Sequence, residues 1–295
     1  MKSLVRIFLL GTAAAACGSV MAASAVLDSI KAGGPLLIGH RESSVPFSYL
    51  DQGKPIGYAV DLCLKIAESI KRKANLANMK VEFVPVNSAN RVNMVESGKV
   101  HMECGSTTNN AERRQKVAFT IPHFITGARL LVRSDSTITR IEDVEGKNIV
   151  STAGSTPLKA VQQADRERLL RLKILAAPDH EKAVQMVEKG EAEAFVMDDV
   201  LLYGLAASRA KPDALKVVGK FLTTEPLAIM LPKGDADFKK MVDDEMRRLI
   251  TSGEINPMYD KWFIRPIPPC NVSLNLPQSY LLKDFWKYPT DYVPF

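Results

Sequence analysis

Hydrophobic positions along this chain follow two alternating periods. Short apolar runs typical of buried strands are followed by longer stretches in which apolar residues recur every three to four positions, as on one face of a helix. The run at residues 35–39, followed by the helical pattern at 58–74, is the first such pair. This repeated order of strand and helix predicts an α/β fold.

The pattern also predicts where the other elements lie. The order of strand and helix runs through twice, with a break near residues 124–127, and this predicts two α/β lobes. The Pro- and aromatic-rich segment 266–295 is expected to be an irregular tail packed on the body. Predicted strands cover residues 35–39, 80–86, 100–104, 129–133, 147–151, 172–176, 192–197 and 227–231, and predicted helices cover 58–74, 91–97, 141–146, 156–170, 180–189, 200–208, 235–252 and 255–263.

The N-terminus has the pattern of a cleavable secretory signal. Lys2 and Arg6 precede a short apolar run at residues 7–16, and small residues follow up to Ala23. We therefore expect residues 1–23 to be a signal peptide and the mature chain to be exported to the periplasm. A lipoprotein signal would use Cys17, but the residues before it do not form a usual lipobox.

Composition and charge argue against a disordered chain and against a nucleic-acid-binding protein. Hydrophobic residues make up 46% and charged residues 24% of the 295 residues, which is ordinary for a soluble globular chain. Without Lys2 and Arg6, the 37 remaining basic residues face 33 acidic ones, so the positive charge is mild. The densest basic run, at residues 71–73, ends a predicted helix, where cations suit the helix dipole. We therefore predict no nucleic-acid partner.

Cysteine and histidine spacing gives no support for a metal site or a cofactor. After signal cleavage Cys63, Cys104 and Cys270 remain, so at most one intramolecular disulfide can form and one thiol is left over. Their pairing stays open, since Cys63 and Cys104 could also be small buried apolar residues. Neither H-E-x-x-H nor a glycine-rich nucleotide motif is present, and G-x-S-x-G is absent too.

Candidate binding residues cluster in five motif-like stretches. These bring three arginines, one histidine, several hydroxyls and one carboxylate to the ends of predicted elements. Ligands in open α/β sheets bind beyond the carboxyl ends of strands. Three fixed positive charges with one negative charge suit a small zwitterion that carries an extra carboxylate. The candidate residues are Arg41, Ser88, Arg91, Ser106, Thr108, Arg113, Thr156, His180 and Asp198.

Several of these residues also have an ordinary structural interpretation. Asp198 could simply cap the helix that follows it. Arg91 could cap a helix, and Arg41 could be a surface arginine. Phe47 could line a cleft or belong to the core. A catalytic triad of Ser106, His180 and Asp198 is conceivable, but scattered Ser, His and Asp occur in nearly any chain of this length.

The motifs together resemble the periplasmic solute-binding proteins of polar amino acid ABC transporters, in particular the glutamate/aspartate-binding branch. The resemblance covers residues 33–263. The tail after Cys270 looks divergent, and Cys63 lies in a helix without a fixed cysteine across the family. The motifs are Arg41-Glu42-Ser43-Ser44-Val45-Pro46-Phe47-Ser48-Tyr49, Ser88-Ala89-Asn90-Arg91, Glu103-Cys104-Gly105-Ser106-Thr107-Thr108-Asn109-Asn110, Ala177-Pro178-Asp179-His180 and Met197-Asp198-Asp199.

The resemblance implies a role for each charged candidate. Arg113, six residues before Phe119-Thr120, would clamp the α-carboxylate of an amino acid. Asp198 would hold its α-ammonium group. Arg41, Arg91 and His180 would face the side-chain carboxylate.

The resemblance also implies a two-lobe periplasmic-binding-protein fold of the type II kind, with two crossover hinge strands and the ligand in the interlobe cleft. Lobe 1 would comprise residues 25–125 plus 229–295, and lobe 2 residues 126–228. The implied protein is a monomeric, non-enzymatic receptor that delivers L-glutamate or L-aspartate to a membrane permease.

Two alternatives remain open on the sequence. The first is an enzyme on the same scaffold, such as a cyclohexadienyl dehydratase-like protein, for which His180 is the only defensible acid or base. The second is a receptor for another polar amino acid such as glutamine. Three arginines argue against a neutral ligand, because positive charge would stay uncompensated.

Overall fold

A computed structural model describes residues 24–293 of the chain, so the predicted signal segment lies outside the described residues. In chain order the strands are β1 Leu36–His40, β2 Ser43–Ser44, β3 Ser48–Asp51, β4 Lys54–Ile56, β5 Val81–Pro85, β6 Met102–Glu103, β7 Val117–Phe119, β8 Phe124–Thr126, β9 Ala128–Arg133, β10 Asn148–Thr152, β11 Lys173–Ala177, β12 Ala194–Asp198, β13 Leu215–Val218, β14 Glu225–Leu227 and β15 Met230–Pro232. The α-helices are α1 Ala25–Lys31, α2 Tyr58–Lys73, α3 Arg91–Glu96, α4 Ala111–Arg114, α5 Thr156–Arg168, α6 His180–Glu188, α7 Asp199–Ala207, α8 Ala236–Thr251, α9 Ile255–Phe263 and α10 Tyr280–Lys287.

Two five-stranded mixed sheets form the centres of two lobes. The sheet of lobe 1 has the order β5-β1-β6-β15-β7, and β1 runs parallel to both of its neighbours. The sheet of lobe 2 has the order β11-β10-β12-β9-β13, with β10 parallel to its neighbours and β9 antiparallel to β12 and β13. The predicted α/β fold in two lobes is therefore confirmed.

The chain crosses between the two sheets on a separate pair of short strands. β8 leads into β9 of lobe 2, and β14 leads back to β15 of lobe 1. β8 and β14 pair antiparallel, with Thr126 opposite Glu225 and Phe124 opposite Leu227. The strand predicted at 227–231 is therefore two strands, because β14 pairs within this crossover whereas β15 joins the sheet of lobe 1.

An aromatic cluster fills the core of lobe 1 beside the crossover. Phe47 is fully buried, and its ring centroid lies 5.2 Å from that of Phe124 and 5.6 Å from that of Phe263. Phe263 also stacks on Tyr259 at 4.3 Å. Phe47 thus belongs to the core, which decides between its two interpretations.

A disulfide joins Cys63 of α2 to Cys104, which directly follows β6. Both cysteines are fully buried, and their Cα atoms lie 6.3 Å apart. Cys270 is an exposed free thiol. The bond ties α2, one of the two 16-residue helices of lobe 1, to the loop that carries Ser106 and Thr108.

The C-terminal tail packs on the body of the protein as expected, but the prediction that it is irregular was wrong for Tyr280–Lys287. Ser279 caps α10 by accepting a hydrogen bond from the backbone N–H of Leu282. Leu282 and Trp286, four residues apart, form the buried side of the helix, and Trp286 Nε1 donates to Pro122 O at 3.0 Å. Among residues 24–293, no helix is long and apolar enough to cross a bilayer.

Candidate functional site

The nine predicted residues gather where the carboxyl ends of the parallel strands of the two sheets face each other. Arg41 directly follows β1, Ser106 and Thr108 follow β6, Thr156 follows β10, and Asp198 ends β12. Eight of the nine are at most 9% exposed, and Thr156 is half-buried. Charged residues are seldom buried to this extent unless they are paired.

Arg41 connects lobe 1 to a histidine of lobe 2. Its Nη2 donates to Ser88 Oγ at 2.9 Å and lies 3.4 Å from His180 Nε2. Because arginine can only donate, Nε2 accepts, and the proton of a neutral imidazole then lies on Nδ1, which is 2.8 Å from Thr152 Oγ1. Burial, together with the charges of Arg41 and Arg91, holds the pKa of His180 well below its usual value, so this ring is neutral.

Arg91 begins helix α3 and reaches under the loop after β6. Its Nη1 donates to Ser106 O at 3.3 Å and lies 4.0 Å from Oε1 of the fully buried Glu103. Glu103 Oε2 accepts a hydrogen bond from Thr107 Oγ1 at 2.6 Å. Burial lowers the pKa of Arg91, and the charge of Glu103 opposes that effect. Glu103 is thus a counter-charge built into the site.

Arg113 spans the cleft from the short helix α4. Its Nη1 donates to Thr108 O at 3.0 Å, and its Nη2 donates to Gly154 O of lobe 2 at 3.3 Å. Burial and the nearby charge of Arg91 lower its pKa to about 10. Gly154 has a φ of +75°, and a Cβ there would lie 2.6 Å from Ser88 O. Only glycine therefore allows this approach of the two lobes.

Asp198 precedes helix α7, but its carboxylate does not cap that helix. It is 3% exposed, and its Oδ1 has no hydrogen-bond partner among the described residues. Burial raises its pKa well above the usual value, and the charge of Glu225 adds to that effect. The geometry thus argues against a simple capping role and leaves Asp198 able to accept from a cationic group.

A chain of three side chains links both lobes to the crossover. Thr108 Oγ1 of lobe 1 lies 3.0 Å from Thr156 Oγ1 of lobe 2. Thr156 Oγ1 in turn donates to Glu225 Oε2 at 2.8 Å. Glu225 lies on β14 and is 3% exposed.

Buried polar atoms without partners concentrate in this cluster. Four of the eight such side-chain atoms among residues 24–293 belong to it: Arg41 Nη1, Arg91 Nε, Glu103 Oε1 and Asp198 Oδ1. Leaving buried atoms of charged groups without hydrogen bonds is costly, so such atoms on both cationic and anionic side chains at one site suit a ligand that carries both signs. Among the same residues, no group of three His, Cys, Asp or Glu side chains could hold a metal ion.

Sequence reasoning missed two carboxylates of this site, Glu103 and Glu225. Glu103 stands between Met102 and Cys104 in a predicted strand, and a charged residue in such a buried run could have been noticed. Glu225 lies in a polar stretch that carried no predicted element, so the sequence offered no signal for it.

Comparison with known proteins places the chain in a family. Residues 36–265 match the model of the bacterial extracellular solute-binding proteins, family 3. An L-glutamate/L-aspartate-binding protein of Pseudomonas aeruginosa is 44% identical over 267 residues, covering 90% of this chain and 88% of the relative. A glutamate/aspartate import solute-binding protein of Escherichia coli is 40% identical over 271 residues, covering 92% and 90%.

A solved structure shows the same fold. A mutant of ArgBP from T. maritima superimposes with a TM-score of 0.71 at 26% identity, covering 80% of this chain and 98% of that one. The chain belongs to the bacterial extracellular solute-binding proteins of family 3. The predicted family and fold class are confirmed, and the family is one of binding proteins, so the enzyme alternative is set aside.

Proposed function

We propose that this family 3 solute-binding protein captures L-glutamate or L-aspartate outside the cytoplasm and delivers it to the permease of an ABC transporter. The observation that carries the proposal is the buried cluster of Arg41, Arg91 and Arg113 facing the unpaired carboxylate of Asp198. The names of the Pseudomonas and E. coli relatives support the same ligand class.

The ligand's charges match the cluster group by group. We assign its α-carboxylate to Arg113 and its α-ammonium group to Asp198. The side-chain carboxylate then falls to Arg41, Arg91 and the neutral His180, while Ser88, Ser106, Thr108 and Thr156 supply hydroxyl groups. A neutral side chain such as that of glutamine would offer Arg41 Nη1 and Arg91 Nε, which have no hydrogen-bond partner among the described residues, only a neutral acceptor in place of a charge-assisted one.

The lobes are proposed to close on the ligand by a hinge motion. Lobe 1 comprises residues 25–125 and 229–295 and lobe 2 residues 126–228, with the crossover strands β8 and β14 as the hinge. The site draws residues from both lobes, so a bound ligand contacts both and favours the closed arrangement. The ion pair between Lys159 of α5 and Glu112 of α4 supports closure, because it too joins the lobes.

The proposal also covers the export of the protein and its membrane partner. Residues 1–23 would be removed as a signal peptide, leaving a monomeric receptor in the periplasm. The closed form would present the permease with a surface that distinguishes loaded from empty protein.

Calorimetry with the mature protein tests the ligand class. We expect binding of L-glutamate and L-aspartate, with L-glutamine at least about 100-fold weaker because it cannot form the charge-assisted pairs. Small-angle scattering should show compaction with L-glutamate, and mass spectrometry after long incubation should recover the ligand intact. Tight binding of L-glutamine with no response to either acid would overturn the proposal, as would conversion of the ligand.

A further inference from the structure

Glu225 is a buried carboxylate that belongs to neither sheet of the two lobes. It lies on the crossover strand β14, directly opposite Thr126 of β8, and is 3% exposed. A carboxylate buried this deeply requires a partner, and its Oε2 accepts the hydroxyl hydrogen of Thr156 at 2.8 Å.

The hydrogen bonds of this chain can run in only one direction. A threonine hydroxyl has a single hydrogen, and an ionised carboxylate can only accept. Since Thr156 gives its hydrogen to Glu225, the contact of 3.0 Å between the hydroxyls requires Thr108 to donate to Thr156. Both hydroxyl hydrogens are then used, and any further group can meet only oxygen lone pairs.

Lone pairs on these hydroxyls favour an ammonium group over a carboxylate. We propose that Glu225 is a positioning residue for amino acid recognition, fixing the hydroxyls of Thr156 and Thr108 so that their lone pairs face the ligand's ammonium group. This inference rests on the proposed function. The charge of Glu225 also acts on the two residues assigned to the ligand's α-groups. Burial raises the pKa of Asp198 and Glu225 adds to that rise, while at Arg113 the charge of Glu225 opposes the lowering of the pKa by burial.

Calorimetry on a set of variants tests the proposal. Glu225→Ala removes the acceptor and should weaken L-glutamate binding about tenfold, as expected for a disrupted buried hydrogen bond. Glu225→Gln keeps an oxygen that can accept from Thr156, so its affinity should stay within about threefold of wild type. Glu68→Ala, a 61% exposed glutamate side chain on α2, is the matched control and should bind like wild type.

A double-mutant cycle separates positioning from general damage. Thr156→Val breaks the chain at its middle, so adding Glu225→Ala to it should weaken binding less than threefold further. The preference for L-glutamate over glutarate, the same diacid without the ammonium group, should fall about tenfold in Glu225→Ala by displacement titration. If Glu225→Ala does not fold, Glu225→Asp carries the same test, because its shorter side chain withdraws the carboxylate from Thr156 Oγ1 and should weaken L-glutamate binding more than Glu225→Gln does.

The outcomes separate this proposal from the proposed function. Additive losses in the cycle, an equal loss for L-glutamate and glutarate, or a Glu225→Gln variant as weak as Glu225→Ala would overturn the positioning role while leaving the receptor intact. Wild-type protein that binds neither acidic amino acid would overturn both.

Discussion

Replacing Arg41 with methionine should stabilise the ligand-free protein while removing its function. Burial, with a contribution from Arg91, lowers the pKa of Arg41 from 12.5 to about 9. At about 1.4 kcal/mol per pKa unit, the positive charge is then on the order of 5 kcal/mol less favourable in the folded protein than in the unfolded chain. Arg41 is protonated in both states below pH 9, so this cost is fully present at pH 7 and declines only above pH 9.

The net gain is smaller than that cost. Methionine has a similar length but loses the bond to Ser88 Oγ and the favourable charge of Glu103. Replacing a whole buried ion pair or triad by apolar residues is often stabilising by about 1–4 kcal/mol, whereas removing one partner of a close pair is destabilising. Arg41 lies within ion-pair distance of no carboxylate among residues 24–293, since the nearby Glu103 pairs with Arg91, so the first case is the closer guide. We therefore expect the free energy of unfolding of Arg41→Met, measured in urea at pH 7 without ligand, to rise by roughly 1–3 kcal/mol.

Ligand should stabilise wild type far more than the variant. Losing a charge-assisted contact to the side-chain carboxylate should cost roughly 2–5 kcal/mol of binding free energy. At L-glutamate equal to 100 times the wild-type Kd, wild type gains about 2.7 kcal/mol, whereas the variant should gain less than about 1 kcal/mol. Arg41→Lys is the control, because it keeps the buried charge and should not be stabilised. A variant less stable than wild type without ligand would show that Arg41 holds the fold together.

Four further variants test the other charged residues of the site and the disulfide. Replacing Arg113 or Asp198 with alanine should each weaken L-glutamate binding by roughly 2–5 kcal/mol, and near-normal affinity in calorimetry would refute the α-group assignment. Arg91→Gln should weaken L-glutamate far more than L-glutamine in parallel titrations, whereas equal losses would indicate a purely structural role. Replacing Cys63 and Cys104 together with serine should lower the free energy of unfolding by roughly 4 kcal/mol, from the loop entropy for a separation of 41 residues, with ligand affinity kept; an unchanged urea midpoint would contradict this.

Periodicity located the long elements because each of them contains enough residues for the spacing of its buried apolar positions to be recognised. The stripe predicted at residues 58–74 is helix α2, Tyr58–Lys73, and the run at 35–39 is β1, Leu36–His40. The candidate residues followed from the same pattern, because the carboxyl ends of strands in an α/β sheet face the ligand. The sequence therefore predicted that these residues cluster, because the order of strands and helices could be read from it.

The short pieces were not predictable in this way. β8 and β14 have three residues each, too few to show an alternation of apolar and polar positions. Their extended shape is fixed by pairing with each other across a separation of about 100 residues. Helix α10 was missed for a similar reason, since its two buried residues, Leu282 and Trp286, have meaning only against the surface of lobe 1.

The charge balance of the site shows what a count of candidate residues leaves out. The sequence suggested three arginines against one carboxylate, a strongly positive cleft. The structure also buries Glu103, next to Arg91, and Glu225, near Asp198, so three acidic groups accompany the three arginines. Such a cluster does not select a ligand by net charge alone. Each carboxylate of the ligand must meet an arginine, and its ammonium group must meet a carboxylate. Glutamate residues are mostly exposed, so nothing in the sequence singled out Glu225, and its role follows only from the contact that the crossover strand makes with Thr156.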